Sequence, residues 1–129
     1  MKVLFVCIHN KRRSVMAEAF GKKFGLNAFS AGVERTDGID EKVVEVLKEK
    51  NLKAKEKPQT IDEVVKNVGE FDVVVTMGCL NSCPYIPAKK HISWNIEDPT
   101  GKDIEVYRKI RDEIEEKVKQ LANSIKKDI

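Results

Sequence analysis

Residues 3–20 read VLFVCIHNKRRSVMAEAF, and the way this stretch folds decides how the rest of the chain is read. Val3-Leu4-Phe5-Val6 is a continuous apolar run with β-branched members, the pattern of a strand buried on both faces of a parallel sheet. Cys7 stands where that run ends, and three consecutive cations, Lys11, Arg12 and Arg13, follow it. Ser14 is placed to cap a helix from Val15 to Phe24, with Met16, Ala17, Phe20 and Phe24 on one side and Gly25 as its stop. The unit is strand, polar loop, helix, with a cysteine at the first junction and an Arg-Ser pair at the second.

The alternation continues outward from this unit. Ala28–Ala31 reads as a short second strand closed by Gly32, and Asp40 opens a helix through Leu47. Lys53–Pro58 is a polar connection, and Thr60–Val68 a further short helix. Phe71–Met77 is a third strand and Lys90–Ile96 a fourth. A long amphipathic helix runs from Asp103 to Lys126, with Ile104, Tyr107, Ile110, Ile114, Val118, Leu121 and Ile125 at spacings of three and four. No repeat, linker or low-complexity segment divides the 129 residues, so residues 1–129 are expected to form a single domain. Strands alternating with helices predict an α/β fold, a four-stranded parallel sheet flanked by helices on both faces.

Composition narrows the partners. Apolar residues make up 41% and charged residues 35%, a globular balance, and the net charge of +3 is spread over interspersed Lys and Glu. That pattern argues against nucleic acid as a partner. The apolar run Val3–Val6 is far too short for a signal segment or a membrane span. No membrane partner is therefore expected, and a cytoplasmic location, where thiols stay reduced, is. Cys7, Cys79 and Cys83 form an odd set, which a purely structural disulfide framework would leave incomplete. Cys79 and Cys83 lack the Cys-x2-Cys spacing of zinc sites, and the only further thiol or imidazole ligands are Cys7, His9 and His91. Thiol chemistry is the better reading.

Ligands of open α/β sheets sit beyond the carboxyl ends of the strands. Cys7, Cys79 and Asp98 each follow a predicted strand, so all three are expected at one edge. The loop Ile8, His9, Asn10, Lys11, Arg12, Arg13 and Ser14 makes, with Cys7, a C-x5-R-S pattern. Its amides can turn inward as an anion-binding nest at a helix N-terminus. The same field would hold Cys7 as a thiolate nucleophile. Arg13 can fork onto two oxyanion oxygens, and Ser14 can donate to the sulfur. Lys11 and Arg12 either raise the local positive potential or are solvated charges. Taken alone, Cys7 reads better as a small core residue; the surrounding pattern is what turns the reading to a nucleophile. His9 is placed at the loop mouth, His91 on the surface and Trp94 in packing.

The segment VCIHNKRRSVMAEAF resembles the phosphate-loop signature of the low-molecular-weight protein tyrosine phosphatase family. FSAG at 29–32, VVVTM at 73–77, EDPTGK at 97–102 and IRDEI at 110–114 extend the resemblance along the whole chain. It implies that family's fold, a flavodoxin-like three-layer sandwich. The thiol-coupled arsenate reductase branch shares the loop, and TMGCLNSCPYIP supplies the cysteine pair such reductases carry, with Pro84 after the second.

The resemblance implies the following chemistry. Cys7 attacks arsenate, Cys79 attacks Cys7 as arsenite leaves, and Cys83 attacks Cys79 to end as a Cys79–Cys83 disulfide. An external reductant, thioredoxin-like or an equivalent thiol, then reduces that pair. Asp98 of Asp98-Pro99 matches the family's general acid, although alone it would read as a turn former, and Glu97 reads as a solvated neighbour. No bound cofactor is implied. Some members hold a monovalent cation, potassium, through residues that match Asn10, Glu18 and Ser30, while Asp62 is displaced from the fourth position. The implied partners are an arsenate or phosphate oxyanion and a thioredoxin-like protein, with the chain a monomer. Only three residues separate Cys79 from Cys83, where longer-looped reductases have six. The alternative is a tyrosine phosphatase hydrolysing phosphotyrosine or small aryl phosphates through a Cys7 phosphocysteine. Against it, Arg12 stands where such phosphatases typically carry a second cysteine, and Thr100-Gly101 where they carry tyrosines. A third reading, a redox-sensing module without turnover, separates from both by having none.

Overall fold

The computed structural model describes residues 1–78 and 84–127. Its elements are β1 (Lys2–His9), α1 (Arg13–Lys23), β2 (Asn27–Glu34), α2 (Glu41–Lys48), α3 (Ile61–Val68), β3 (Phe71–Thr76), β4 (Ala88–Ser93) and α4 (Ile104–Lys127). The four strands form one sheet in the order β2-β1-β3-β4, every pairing parallel. From β1 the chain adds β2 on one side and then β3 on the other, so strand order reverses at β1. The crevice that such a reversal opens lies at the carboxyl ends of β1 and β3.

The apolar run that opens the chain is continuous because both faces of β1 are covered. Val3, Phe5 and Cys7 enter a core with Met16, Phe20, Leu47 and Ile114 from α1, α2 and α4. Leu4 and Val6 enter the opposite core with Ala31, Ile61 and Val64. Period-two alternation therefore meets helices on either side, α1, α2 and α4 on one and α3 on the other.

Helix α1 departs from the one-sided pattern read in the sequence. Arg13 to Gly21 are all buried, because the helix packs against β1 and β2 on one side and against α2 and α4 on the other. Arg13, Ser14 and Glu18 are thereby buried among apolar residues, which obliges each to find polar partners. Ser14 is not a cap: the helix starts at Arg13, Arg12 occupies the N-cap position without a side-chain capping bond, and the Ser14 hydroxyl is turned to Cys7. The other helix ends follow the sequence. Asp40 accepts from the Lys42 amide at 3.0 Å, Thr60 from the Glu63 amide at 3.3 Å, and Gly25 ends α1 at φ +88°.

Three strands depart from the bounds read in the sequence: β2, expected as Ala28–Ala31 closed by Gly32, runs through that glycine from Asn27 to Glu34. β1 runs on to His9 because β2 continues beside it to Glu34, so Cys7 lies inside the strand opposite Gly32. β4 is Ala88–Ser93 rather than Lys90–Ile96: β3 ends at Thr76, whose carbonyl takes the Trp94 amide, and beyond this the Ile96 carbonyl turns to Arg13. Trp94 packs on Phe5, ring centroids 5.9 Å apart. Among the described residues no helix is long and apolar enough to cross a membrane.

One carboxylate ties three elements behind the loop that follows β1. Asp40, at the N-cap of α2, accepts from Arg12 Nε at 2.7 Å and from the hydroxyl of Tyr107, buried on α4, at 2.6 Å. Burial works to raise its carboxyl, but the Tyr107 hydroxyl, the Lys42 amide and the Arg12 charge together hold it below its ordinary value. Asp40→Asn is expected to cost about 1–3 kcal/mol at neutral pH, read from the denaturant midpoint. A depressed native value means that the stabilisation is complete above about pH 4 and is lost as pH falls through that lower value. The gap between wild type and variant should therefore close toward acid; a gap that stays constant would detach the effect from the charge.

Candidate active site

Cys7 is 1% exposed, at the carboxyl end of β1. Its sulfur lies 2.9 Å from the Ser14 hydroxyl, and its thiol donates to the His9 carbonyl at 2.7 Å. Asn10 Nδ2 donates to the same Ser14 oxygen at 2.9 Å, which directs the serine's own proton at the sulfur. Burial pushes the Cys7 thiol up, and the Ser14 hydroxyl and amide and the Arg13 charge oppose this without overcoming it, while Asp98 adds to it. Depth works against the standing thiolate expected from the sequence, since the sulfur is more deeply buried than a strand-end position implies.

Arg13, 6% exposed overall, reaches across the end of the sheet. Its NH1 donates to the carbonyls of Met77 at 2.7 Å and Ile96 at 3.0 Å, which follow β3 and β4. With both NH1 protons engaged, the Nε–NH2 edge is the part left for two oxyanion oxygens. Asp98 Oδ2 is 3.9 Å from Arg13 NH2, and Asp98 accepts from the hydroxyl and amide of Thr100 at 2.6 and 3.1 Å. Burial acts to raise this carboxyl, but the Thr100 bonds and the charges of Arg13 and Arg12 outweigh it and hold it low. Asp98 is therefore a carboxylate in the resting site.

Cys7, Ile8, His9, Arg12, Arg13 and Asp98 line a pocket of about 90 Å³. That is the space of about three waters, enough for a small tetrahedral anion. Sequence placed seven loop residues around an anion, and the structure divides them. Ile8, His9, Arg12 and Arg13 face the pocket, with His9 at its rim 3.6 Å from Glu34. Asn10 and Ser14 brace the loop from within, and the Lys11 amide is held by the His9 carbonyl at 2.8 Å. The inward amide nest expected over residues 8–14 is thus incomplete, since the His9 carbonyl, not an amide, points at the sulfur. The Arg12 guanidinium is turned to Asp40. Cys79 and Cys83 lie outside the described residues.

Three residues that the sequence reading passed over shape the site. A Cβ on Gly32 would come within 2.4 Å of the Asn10 nitrogen, and one on Gly78, at φ +98°, within 2.4 Å of Arg13 NH1. Both glycines are needed for close approach; Gly32 lies inside FSAG and Gly78 inside TMGCLNSCPYIP, but neither segment by itself marks a close approach. The third is Lys55, from the supposed polar connection. Its ammonium donates to Asn10 Oδ1 at 2.7 Å and to the Ser30 carbonyl and hydroxyl at 3.0 and 3.2 Å, with Glu18 Oε1 at 3.9 Å. Burial draws Lys55 below the ordinary lysine value, with Glu18 opposing. The expected cation ligands Asn10, Glu18 and Ser30 do converge, but on the chain's own ammonium, so they do not fit a free potassium ion. Among the described residues, no three His, Cys, Asp or Glu side chains converge as a metal site.

The chain is similar to known proteins along nearly its whole length. An archaeal arsenate reductase structure from Archaeoglobus fulgidus is 50% identical, with a TM-score of 0.83, covering 94% of this chain and 98% of that one. An arsenate reductase of Bacillus cereus strain AH187 is 33% identical over 130 residues, 95% of this chain and 94% of its own. The YwlE arginine phosphatase structure from Geobacillus stearothermophilus is 29% identical at a TM-score of 0.80, covering 98% and 94%. The family model for low molecular weight phosphotyrosine protein phosphatase matches residues 2–129, and the chain belongs to that family.

Proposed function

We propose that the protein is an arsenate reductase working through Cys7, Cys79 and Cys83, with an external dithiol of the thioredoxin type as reductant. The observation that carries this reading is the small pocket in which the Cys7 thiol, the free edge of Arg13 and Asp98 meet, joined to two further cysteines that begin right after Gly78. Gly78 itself lies against the Arg13 guanidinium. A hydrolase has no use for that second pair of thiols, whereas reduction of As(V) to As(III) needs two electrons and leaves a disulfide. The arsenate reductases among its relatives support the same choice.

A thiol that burial pushes toward its neutral form sets the order of events. An arsenate dianion entering beside Cys7 takes the thiol proton, and the resulting thiolate, facing the Ser14 hydroxyl, attacks arsenic. The arsenic–oxygen bond that breaks releases water, both of whose protons come from the thiol and from the arsenate. The sum is RSH + HAsO4 dianion giving an S-arsenate dianion and water. Asp98, a carboxylate at the pocket wall, carries one of those protons to the departing oxygen. Cys79 then attacks the Cys7 sulfur; the sulfur–arsenic pair goes to arsenic, arsenite leaves as As(III), and Cys7–Cys79 is bridged. Cys83 displaces Cys7 from Cys79, and the external dithiol restores the pair. Phosphate would reach only the first adduct, so phosphoester hydrolysis through Cys7, Arg13 and Asp98 is the second reading, favoured by the family and by the completeness of those three groups.

Reduced protein mixed anaerobically with one equivalent of arsenate should lose two thiols, with the bridge mapped to Cys79–Cys83. Cys83→Ser should stop at Cys7–Cys79 after one turnover. Survival of all three thiols, with aryl phosphate still hydrolysed, would leave a phosphatase. Arg13→Lys loses the planar fork and a carbonyl tether, and calorimetry should show phosphate binding weaker by about 10–100-fold. Asp98→Asn should slow turnover by about 10²–10⁴-fold while phosphate affinity is nearly kept. Because the carboxyl is held low, Asp98 is ionised above about pH 5. The substitution should therefore lower the pH profile there without reshaping it; an altered profile shape would reject this assignment.

A further inference from the structure

The buried ammonium of Lys55 is the least expected feature of the chain. Lysine is seldom buried, because its charge must then be met by oxygen atoms inside the protein. Here the side chain is 10% exposed, and it comes from a segment whose sequence, LKAKEKPQ, reads as solvent-facing. Its donors meet Asn10 Oδ1, the Ser30 carbonyl and the Ser30 hydroxyl, and Glu18, itself 9% exposed, stands as counter-charge. Lys22 donates to the other Glu18 oxygen at 3.2 Å, from a far more exposed position.

These contacts fix the polarity of the bonds leading to the nucleophile. Asn10 Oδ1 accepts from Lys55 and from the Gln59 amide at 2.9 Å. With its oxygen so held, the Asn10 amide nitrogen must face Ser14 and Ser30, to each of which it donates at 2.9 Å. Ser14, accepting from Asn10, presents its own proton to the Cys7 sulfur. A cation at this point is what prevents the Asn10 amide from turning over, since a reversed amide would aim N–H groups at an ammonium.

We propose that Lys55 is a positioning residue of the oxyanion site, a tethered cation that takes the place of a free monovalent ion and keeps the Lys55–Asn10–Ser14–Cys7 chain in the order the nucleophile needs. An ammonium and a potassium ion would claim the same oxygens of Asn10 and Ser30, and two cations cannot share them. The protein is therefore indifferent to potassium. The inference rests on the reading of the loop as an oxyanion site, but not on whether the reaction is reduction or hydrolysis.

The test compares wild type, Lys55→Ala and Lys22→Ala in choline chloride and in potassium chloride of equal ionic strength. Three quantities are read: phosphate affinity by calorimetry, protection of Cys7 by phosphate against iodoacetamide, and the thermal midpoint. Wild type and Lys22→Ala should give the same values in both salts. Lys55→Ala should bind phosphate about 3–10-fold more weakly in choline, the effect of one hydrogen bond of this kind, and recover most of that in potassium. Its thermal midpoint should rise with potassium as well. The proposal is overturned if potassium strengthens phosphate binding or raises the midpoint of wild type, or if Lys55→Ala matches wild type in choline. It is equally overturned if the variant's loss is not recovered by potassium, since that would make Lys55 a packing residue. The wild-type comparison stands even if the variant fails to fold. Failure of wild type to bind phosphate at all would fall on the proposed function, and the midpoints would still decide the cation question.

Discussion

A guanidinium buried at the end of a parallel sheet must place its N–H groups, and the way Arg13 does so organises the molecule. Two of them hold the Met77 and Ile96 carbonyls, the backbone just beyond β3 and β4. The first helix thereby fixes two loops that lie far from it in sequence. Met77 is followed by a residue that passes so close to the guanidinium that only glycine fits. Ile96 is followed, two residues on, by Asp98, whose distance to Arg13 is set by this same tether. Loss of Arg13 would leave two carbonyls without partners as well as removing the fork proposed to hold the anion, so its structural and chemical effects cannot be separated by simple truncation.

The loop after β1 is gripped from two sides by charges of opposite sign. Outside, Asp40 takes Arg12 away from the pocket and joins it to α2 and α4. Inside, Lys55 and Glu18 hold Asn10 and Ser30. Of three consecutive cations, only Arg13 is aimed across the site; Arg12 is neutralised by Asp40, and the Lys11 backbone is engaged at both ends, its amide with His9 and its carbonyl with Asp40. The positive potential felt at Asp98 comes from Arg13 first and from Arg12 behind it, although Arg12 is paired with Asp40.

The fold was legible wherever a signal was local. The apolar runs gave β1 and β3, Asp40 and Thr60 marked helix starts through their own side chains, and the stripe from Ile104 to Ile125 gave α4. Reading failed where a residue answered to distant partners. Ser14 has every local mark of a cap, yet its hydroxyl is claimed by Cys7 and Asn10 once α1 is buried all round. Lys55 sits among Lys, Glu and Pro, and only the arrival of Asn10 and Ser30 from other strands and loops explains its burial. The C-x5-R-S pattern marked residues that do line one pocket, but the protonation of Cys7 depends on depth, and depth is not written in spacing.

That protonation bears on how one loop can serve two reactions. On the proposed reading, a thiol that burial pushes toward its neutral form, and that donates to the His9 carbonyl, reacts once a dianion able to take its proton has arrived. Arsenate and phosphoester dianions meet that condition equally, since both are tetrahedral and both are bases. Selection between them therefore does not lie in Cys7, Arg13 or Asp98. It lies in what happens to the adduct: a sulfur–phosphorus bond can only be hydrolysed, whereas a sulfur–arsenic bond can give its electron pair to arsenic when a second thiolate attacks the sulfur. On the proposed reading the decision rests on a thiol supplied at the right moment, and Cys79 comes two residues after Met77, whose carbonyl Arg13 holds. The residue proposed to supply the second thiol comes, in sequence, directly after backbone that packs against the guanidinium proposed to bind the oxyanion.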